Sequence, residues 1–95
     1  MMLNHVIPLE GHLLFVESQE GTEGVFDLKP YLAYEAFTPL NDSEEFSAVH
    51  NGGYFVEWPC GADLSADTIE AHMRSASPEI AQQARQSDRS PVSGR

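Results

Sequence analysis

Turn signals placed between short β-rich runs are the feature that most limits how this chain can fold. Residues 4–9 (NHVIPL) and 12–17 (HLLFVE) are separated by a Glu-Gly pair at 10–11, and an Asn-Gly-Gly segment at 51–53 lies between two further strand-like runs. Glycine and asparagine tolerate the positive φ angles that tight hairpin turns require. The sequence therefore predicts two antiparallel β-hairpins.

The first hairpin is expected to gain a third strand. Pro8 lacks a backbone donor, which either places the first strand at the edge of the sheet or ends it early. The polar segment SQEGTEG carries two glycines and reads as a turn. The run VFDL after it alternates Phe26 and Leu28 on one side with Val25 and Asp27 on the other. We expect this run to pair with the second strand.

Short helices are predicted between the two hairpins. Pro30 suits the first turn of a helix, which we expect to be brief. One of the polar residues at 41–43 can cap a second helical turn that buries Phe46.

The run YFVEW at 54–58 predicts a strand that ends in the core. Tyr54, Val56 and Trp58 share one of its faces, and Pro59 stops ladder pairing directly afterwards. We expect Trp58 to pack between the sheet and the final helix. Glu57 lies on the opposite face, where it marks either a solvated surface or a contact surface.

A final helix is predicted from about residue 66. Gly61 allows the chain to turn, and either Asp63 or Ser65 can cap the helix, with Asp67 favourable in the first turn. Residues at helical spacing form its apolar face, namely Ala66, Ile69, Met73 and Ala76.

Length and composition predict a single small domain. The chain has 95 residues, which is enough for one modest core. We expect an α+β fold at residues 1–77, with a small antiparallel sheet built of β-hairpins, one or two short helices and a C-terminal helix packed on the sheet. Residues 78–95 are polar and predict a flexible tail that begins as a frayed helix.

Charge is distributed very unevenly along the chain. Residues 1–73 hold thirteen acids and the single base Lys29, a net charge of −12, whereas residues 74–95 carry +2, which gives −10 overall. A surface this acidic is repelled by phosphate backbones, so we expect no direct duplex DNA binding by this domain. It suits a basic protein partner, although an acidic surface can also serve solubility alone.

The sequence predicts a protein of a reducing compartment that has no transmembrane helix. Cys60 is the only cysteine, so no internal disulfide can form. The first residues lack a basic leader and an apolar run of the roughly 18 residues that span a bilayer. These features predict a cytoplasmic protein.

No motif in the sequence fixes a reaction. The four histidines and Cys60 do not have the spacing typical of metal ligands. Ser65, His72 and Asp63 have the residue types of a catalytic triad, but no nucleophile-elbow motif accompanies them. We therefore predict no catalytic residue, no metal site and no cofactor.

Three runs resemble, in order and spacing, the bacterial domain of unknown function 2442 (DUF2442) family. They are GTEGVFDLKPYL, FTPLNDSEEFSAV and GGYFVEWPCGADLSADTIEAHM, and the resemblance covers residues 4–74. The family-like positions are Gly24, Val25, Asp27, Leu28, Phe37, Leu40, Phe46, Trp58, Pro59, Gly61, Asp63 and Leu64. The resemblance implies an α+β fold similar to the N-terminal domain of a two-domain helix-turn-helix protein and a toxin-antitoxin-like pairing. It implies no catalytic residues, and too few apolar residues follow residue 74 to build a helix-turn-helix here.

Two classes of function follow. The leading hypothesis is a non-enzymatic protein-interaction module, an antitoxin-like or regulatory partner of another small protein, with Glu57, Trp58 and Asp63 as partner-binding residues. The alternative is a small-ligand-binding protein or minor enzyme that uses acids near Trp58 and Asp63. A homodimer remains open under either hypothesis. Residues expected to act structurally are Gly24, Asp27, Phe46, Trp58, Pro59, Gly61, Ser65, Ile69 and Met73.

Overall fold

The computed structural model describes residues 1–89 and shows an α+β fold in which the strands form two antiparallel sheets. The strands are β1 (Leu3–Leu9), β2 (Leu13–Ser18), β3 (Glu23–Asp27), β4 (His50–Asn51), β5 (Phe55–Glu57), β6 (Asp63–Ser65) and β7 (Arg74–Ser75). The helices are two 3₁₀ helices (Lys29–Tyr31 and Glu35–Asn41), α1 (Ser43–Ser47), α2 (Ala66–His72) and α3 (Pro78–Arg89). The first sheet has the order β1-β2-β3-β7 and the second the order β4-β5-β6. The α+β prediction is confirmed, although the strands divide between two sheets.

The first sheet contains the predicted three-stranded meander. β1 and β2 form a hairpin whose turn places Gly11 at φ +78° and His12 at φ +60°. β1 lies at the edge of the sheet, as Pro8 predicts, and β3 pairs with β2 in register from Leu13 opposite Asp27.

The second sheet begins with the hairpin predicted at 51–53, because β4 and β5 pair with Asn51 opposite Val56. The sequence analysis did not predict β6 as its third strand. The chain reverses at 59–61, where Gly61 has φ +100° and the Trp58 N–H donates to the Ala62 carbonyl. This reversal pairs β6 antiparallel to β5.

The connection between the sheets follows the predicted caps. Pro30 lies in the first turn of a helix, which is 3₁₀ rather than α. Asp42 caps α1 by accepting a hydrogen bond from the Glu44 N–H, and α1 buries Phe46.

The main core lies where the two sheets, α1 and α2 meet. Its buried members are Leu3, Leu14, Val16, Phe26, Leu28, Leu40, Phe46, Val56, Trp58, Ala62, Leu64, Ala66 and Ile69. Tyr54 was expected to share this core and does not, since 67% of its surface is exposed. Tyr54 precedes the paired residues of β5 and follows Gly53 at φ +91°, so the strand alternation does not yet hold there.

Helix α2 is shorter than predicted. It ends at His72, and the next residues form β7, which pairs with β3. Met73 therefore caps the helix and packs at the border of the core, while Ala76 lies beyond β7 and not on the helix. Gly24 makes this close crossing possible, because an added Cβ would lie 2.4 Å from the Met73 sulfur.

Residues 78–89, predicted as the start of a polar tail, form helix α3. Ala81 and Ala84 are buried against Ile7 and Phe15 on the far face of the first sheet, in a second, smaller core. The sequence hides this contact because alanines carry most of it. The part of the tail prediction at 90–95 lies outside the described residues. Across residues 1–89, no helix combines the length and the apolar character needed to cross a membrane.

Candidate functional site

The outer face of the second sheet is the candidate site, and we call it the β4–β6 face. Its side chains are His50, Phe55, Glu57, Asp63 and Ser65, all exposed. They point outward because side chains alternate along a strand, and the intervening Val56 and Leu64 are buried in the core.

Two carboxylates face each other on this surface. Glu57 and Asp63 are directly opposite in the β5–β6 register, where like charges destabilise a sheet. Neither residue has an ion pair or side-chain hydrogen bond within the part of the chain that the structure describes. The fold therefore holds two acids together without a cation of its own.

A groove of about 400 Å³ runs beside Glu57. It is lined by Ala48, His50, Glu57, Trp58, Pro59 and Gly61. His50 lies opposite Glu57 in the β4–β5 register, so histidine and carboxylate share one row across the sheet. The groove is large enough for a single side chain of a partner.

Phe55 lies at the other end of the face, and Tyr54, its neighbour in the chain, is also exposed. Tyr54 is 67% and Phe55 39% exposed, and with Tyr34 they are the exposed large hydrophobic residues among those described. The ring of Phe55 lies over Gly52, since an added Cβ there would meet its ring atoms within 2.7 Å. The face thus offers apolar and anionic contacts side by side.

Trp58 does not belong to this surface, which corrects its place among the partner-binding residues. Only 3% of it is exposed, and its Nε1–H donates to the Phe46 carbonyl at 2.9 Å. Its ring stacks on Phe46 and meets Phe37 edge-on. Alternation along β5 turns Trp58 inward with Val56, so it acts in the core and contributes only to the groove wall.

The helix after β6 is capped by Ser65 and not by Asp63. The Ser65 Oγ accepts from the Thr68 N–H at 3.0 Å and bonds the Thr68 Oγ1 at 2.9 Å. His72 bonds the Thr68 carbonyl through Nδ1. These bonds hold α2 together, and Ser65, His72 and Asp63 form no hydrogen-bonded triad.

Asp27 organises the exit from β3. Its carboxylate accepts hydrogen bonds from the Lys29 N–H at 2.9 Å and pairs with the Lys29 ammonium at 3.0 Å. Desolvation alone would raise the pKa of Asp27, but these bonds outweigh it and hold the pKa below its usual value. A depressed carboxyl pKa stabilises the fold above the ordinary pKa of aspartate, and this contribution is lost as the pH falls through the folded value.

The cationic side chains within residues 1–86 lie at the first sheet. Lys29 pairs with Asp27, Arg85 pairs with Glu23, and Arg74 on β7 lies close enough to act on Asp27. None of them neutralises the β4–β6 face. Glu57 and Asp63 therefore lie on a face where no described lysine or arginine compensates them.

The structure reveals contacts that the sequence analysis missed. His12 bonds the Leu40 carbonyl at 2.8 Å, and its ring contacts Phe46 at a centroid distance of 5.0 Å. Its sequence signal is only its position after Gly11 in a hairpin turn. His50 and Phe55 were not singled out either, although alternation in YFVEW already placed Phe55 beside Glu57.

Two further grooves lie elsewhere and carry fewer signs of function. One of about 620 Å³ is lined by the β1–β2 turn, α1 and Gln83, and one of about 360 Å³ by Phe26, Asp27, Pro30, Tyr31, Tyr34 and His72. Among the described residues, no three His, Cys, Asp or Glu side chains converge as a metal site would require. Cys60 is a free, exposed thiol on the β5–β6 turn.

The fold and this surface define a small acidic α+β domain with an uncompensated sheet face. A family model described as "Protein of unknown function (DUF2442)" matches residues 3–75. The chain belongs to this family. No curated protein and no solved structure matches the chain.

Proposed function

We propose that the protein is a non-enzymatic interaction module that binds a small basic protein through its β4–β6 face, in an antitoxin-like or regulatory role in the cytoplasm. The observation that carries this proposal is the cross-strand pair of Glu57 and Asp63, which has no cation among the described residues. A partner arginine or lysine would relieve the repulsion between the two carboxylates, so binding and relief of strain coincide.

The net charge and an exposed apolar side chain also support an interaction with a basic protein. The overall net charge of −10 attracts basic partners at a distance and repels nucleic acid backbones. The exposed Phe55 next to the acids supplies an apolar contact of the kind that anchors protein interfaces.

The test is co-expression with the proteins encoded beside its gene, followed by association kinetics with any protein that copurifies in stoichiometric amount. The double variant Glu57→Gln/Asp63→Asn should slow association about tenfold at low salt. The matched control Glu20→Gln/Glu79→Gln removes the same charge from the β2–β3 turn and α3 and should change the rate far less.

Two outcomes would contradict the proposal. Equal effects of the two double variants would show that net charge acts without a defined surface. Tight duplex DNA binding at physiological salt would assign the protein to another class. Native mass spectrometry of the same sample distinguishes a homodimer or a bound small molecule from a heteromeric complex.

A further inference from the structure

Strand β6 leaves one edge of the second sheet open. The Trp58 N–H donates to the Ala62 carbonyl, and the Ala66 N–H donates to the Tyr54 carbonyl. Backbone groups in an antiparallel pair alternate in direction with a period of two. The backbone groups of residues 62, 64 and 66 thus face β5, and those of Asp63 and Ser65 face away from it. The Ser65 carbonyl serves the first turn of α2, which leaves the Asp63 N–H, the Asp63 carbonyl and the Ser65 N–H at the edge.

The other sheet edges in the described part of the chain are protected. β1 carries Pro8, and its first residue Leu3 is bonded to Gly53 and to the Asn51 side chain. The bond from the Asn51 side-chain amide to the Leu3 carbonyl places the start of β1 beside the outer side of β4. β7 presents Arg74, which repels a basic chain. β6 has no proline, and its exposed side chains are Asp63 and the small Ser65. Its edge is therefore both unprotected and acidic, which favours a basic partner.

We infer that the open edge of β6 pairs with an extended basic segment of the partner protein, which adds a fourth strand to the second sheet. This inference rests on the proposed function and specifies its mode of binding. Main-chain hydrogen bonds to Asp63 and Ser65 provide the attachment, and the outward side chains of the added strand provide selectivity.

The register defines the sequence of the segment. A residue opposite Asp63 projects onto the β4–β6 face next to the two carboxylates and must be arginine or lysine. A residue opposite Ser65 projects over that small side chain toward Phe55, which lies directly across from Ser65 on β5, and should be apolar. An antiparallel segment therefore reads apolar-x-basic from its N-terminus to its C-terminus.

A second copy of this chain fits the edge poorly. Two β6 strands paired about a two-fold axis would bring Asp63 and Glu57 of both copies onto one surface, adding like charges to an existing repulsion. A basic segment would instead be attracted electrostatically to these acids.

Cys60 allows the inference to be tested on the full chain, because this exposed thiol lies on the turn immediately before β6. The peptide has the core Leu-Thr-Arg, a Gly-Ser-Gly linker and a C-terminal cysteine that forms a mixed disulfide with 2-mercaptoethanol. The Cys60 thiolate attacks the peptide sulfur of this disulfide, which joins the peptide to Cys60 and releases 2-mercaptoethanol. The linker raises the effective concentration of the peptide at the edge. Mass spectrometry then measures the exchange equilibrium for each peptide.

N-methylation separates edge pairing from simple charge attraction. A methyl on the arginine amide removes the bond to the Asp63 carbonyl and should lower the exchange constant about tenfold. A methyl on the threonine amide, which faces away from β6, should leave it nearly unchanged. In the complex, hydrogen exchange at the Asp63 and Ser65 amides should slow, whereas the Leu64 amide is already paired. Equal effects of the two methyl groups would overturn the inference.

Charge variants separate this inference from the proposed function. Replacing the peptide arginine by glutamate should lower the exchange constant. Asp63→Asn in the protein should reduce the difference between the exchange constants of the two peptides, and Glu79→Gln should leave this difference unchanged. If the partner protein requires Glu57 and Asp63 but the methyl groups act equally, the proposed function stands and edge pairing is wrong. If edge pairing of the peptide holds and no protein partner depends on these acids, the proposed function is wrong.

Discussion

At the scale of single residues, Trp58, Phe46 and His12 connect the second sheet to α1 and the first hairpin. The Trp58 Nε1–H and the His12 Nε2 each bond a backbone carbonyl in or beside α1, at Phe46 and Leu40. A carbonyl can only accept a hydrogen bond, so His12 carries its proton on Nε2. Both side chains therefore add a directional bond to their packing, and substitutions can separate the two contributions.

Trp58→Ala should destabilise the protein by about 3 to 5 kcal/mol, because it empties a large buried site. Trp58→Phe retains most of the ring packing but leaves the Phe46 carbonyl unpaired, which should cost about 1 to 3 kcal/mol. Urea unfolding followed by circular dichroism measures both, since these variants lose the chain's single tryptophan fluorophore. A phenylalanine variant as unstable as the alanine variant would show that the hydrogen bond dominates over packing.

His12 should give an unusual order of stability. It holds φ +60°, a conformation that costs an L-residue about 1 to 2 kcal/mol. His12→Ala loses the bond to Leu40 and keeps this strain, whereas His12→Gly loses the bond and relieves the strain. We expect the glycine variant to be more stable than the alanine variant by about 1 kcal/mol in urea unfolding. The opposite order would mean that the strain of the positive φ angle at position 12 is smaller than the conformational freedom that glycine adds to the unfolded chain.

At the scale of elements, α2 and α3 differ in how they are held. α2 has a defined N-cap and contributes Ile69 to the main core. α3 contacts the far face of the first sheet through two alanines and the partly buried Ile80. α3 also has an N-cap, because the Ser77 Oγ accepts a hydrogen bond from the Ile80 N–H at 3.2 Å, so the two helices differ in the core against which they pack.

Ser65→Ala should cost about 1 kcal/mol, because the Thr68 N–H loses its acceptor. Ser65→Asp should restore most of this stability, since aspartate is also a good N-cap. Asp63→Ala serves as the control and should not destabilise, because Asp63 caps nothing and its removal relieves the repulsion with Glu57. The melting temperatures of the three variants show which residue caps α2. A larger decrease for Asp63→Ala than for Ser65→Ala would assign the cap to Asp63.

Deletion of residues 78–95 should destabilise the fold by about 1 to 3 kcal/mol, because it exposes Ile7 and Phe15. Deletion of residues 90–95 alone is the control for the shorter chain. Increased binding of an apolar dye to the longer deletion would report the uncovered sheet face. Full stability of residues 1–77 would show that α3 is dispensable and that the smaller domain boundary is correct.

At the scale of the whole molecule, charge opposes the compact state. The chain carries 15 acids against five lysines and arginines. The described lysine and arginine side chains lie at the first sheet, so the repulsion between Glu57 and Asp63 on the second sheet is not compensated by them. Self-repulsion of this kind weakens as salt shortens the Debye length.

The melting temperature should rise as sodium chloride increases from about 0.01 M to 0.5 M. A gain of about 1 kcal/mol corresponds to roughly 4 to 8 °C for a domain of this size. Glu57→Gln/Asp63→Asn should raise the melting temperature at low salt more than Glu20→Gln/Glu79→Gln, because only the first pair is directly opposed across strands. A melting temperature independent of salt in all three proteins would show that the acids do not strain the fold.

Elements whose signals are local could be predicted from the amino-acid sequence. The hairpin turns, the edge position of Pro8, the cap at the start of α1 and the start of α2 each depend on φ preferences or on hydrogen bonds between near neighbours. Alternation along YFVEW also placed Glu57 and Trp58 on opposite faces. These features need no information about distant parts of the chain.

Tertiary structure alone decided the features that depend on contacts between distant residues. β7 ends α2 early because it pairs with β3 about fifty positions earlier, at Gly24 and Val25. α3 is fixed by Ile7 and Phe15, whose distance in sequence hides their need for cover. Glu57 and Asp63 became a pair only when the turn at 59–61 reversed the chain and set the register of β6. The candidate site is a product of strand register, which a one-residue shift would abolish.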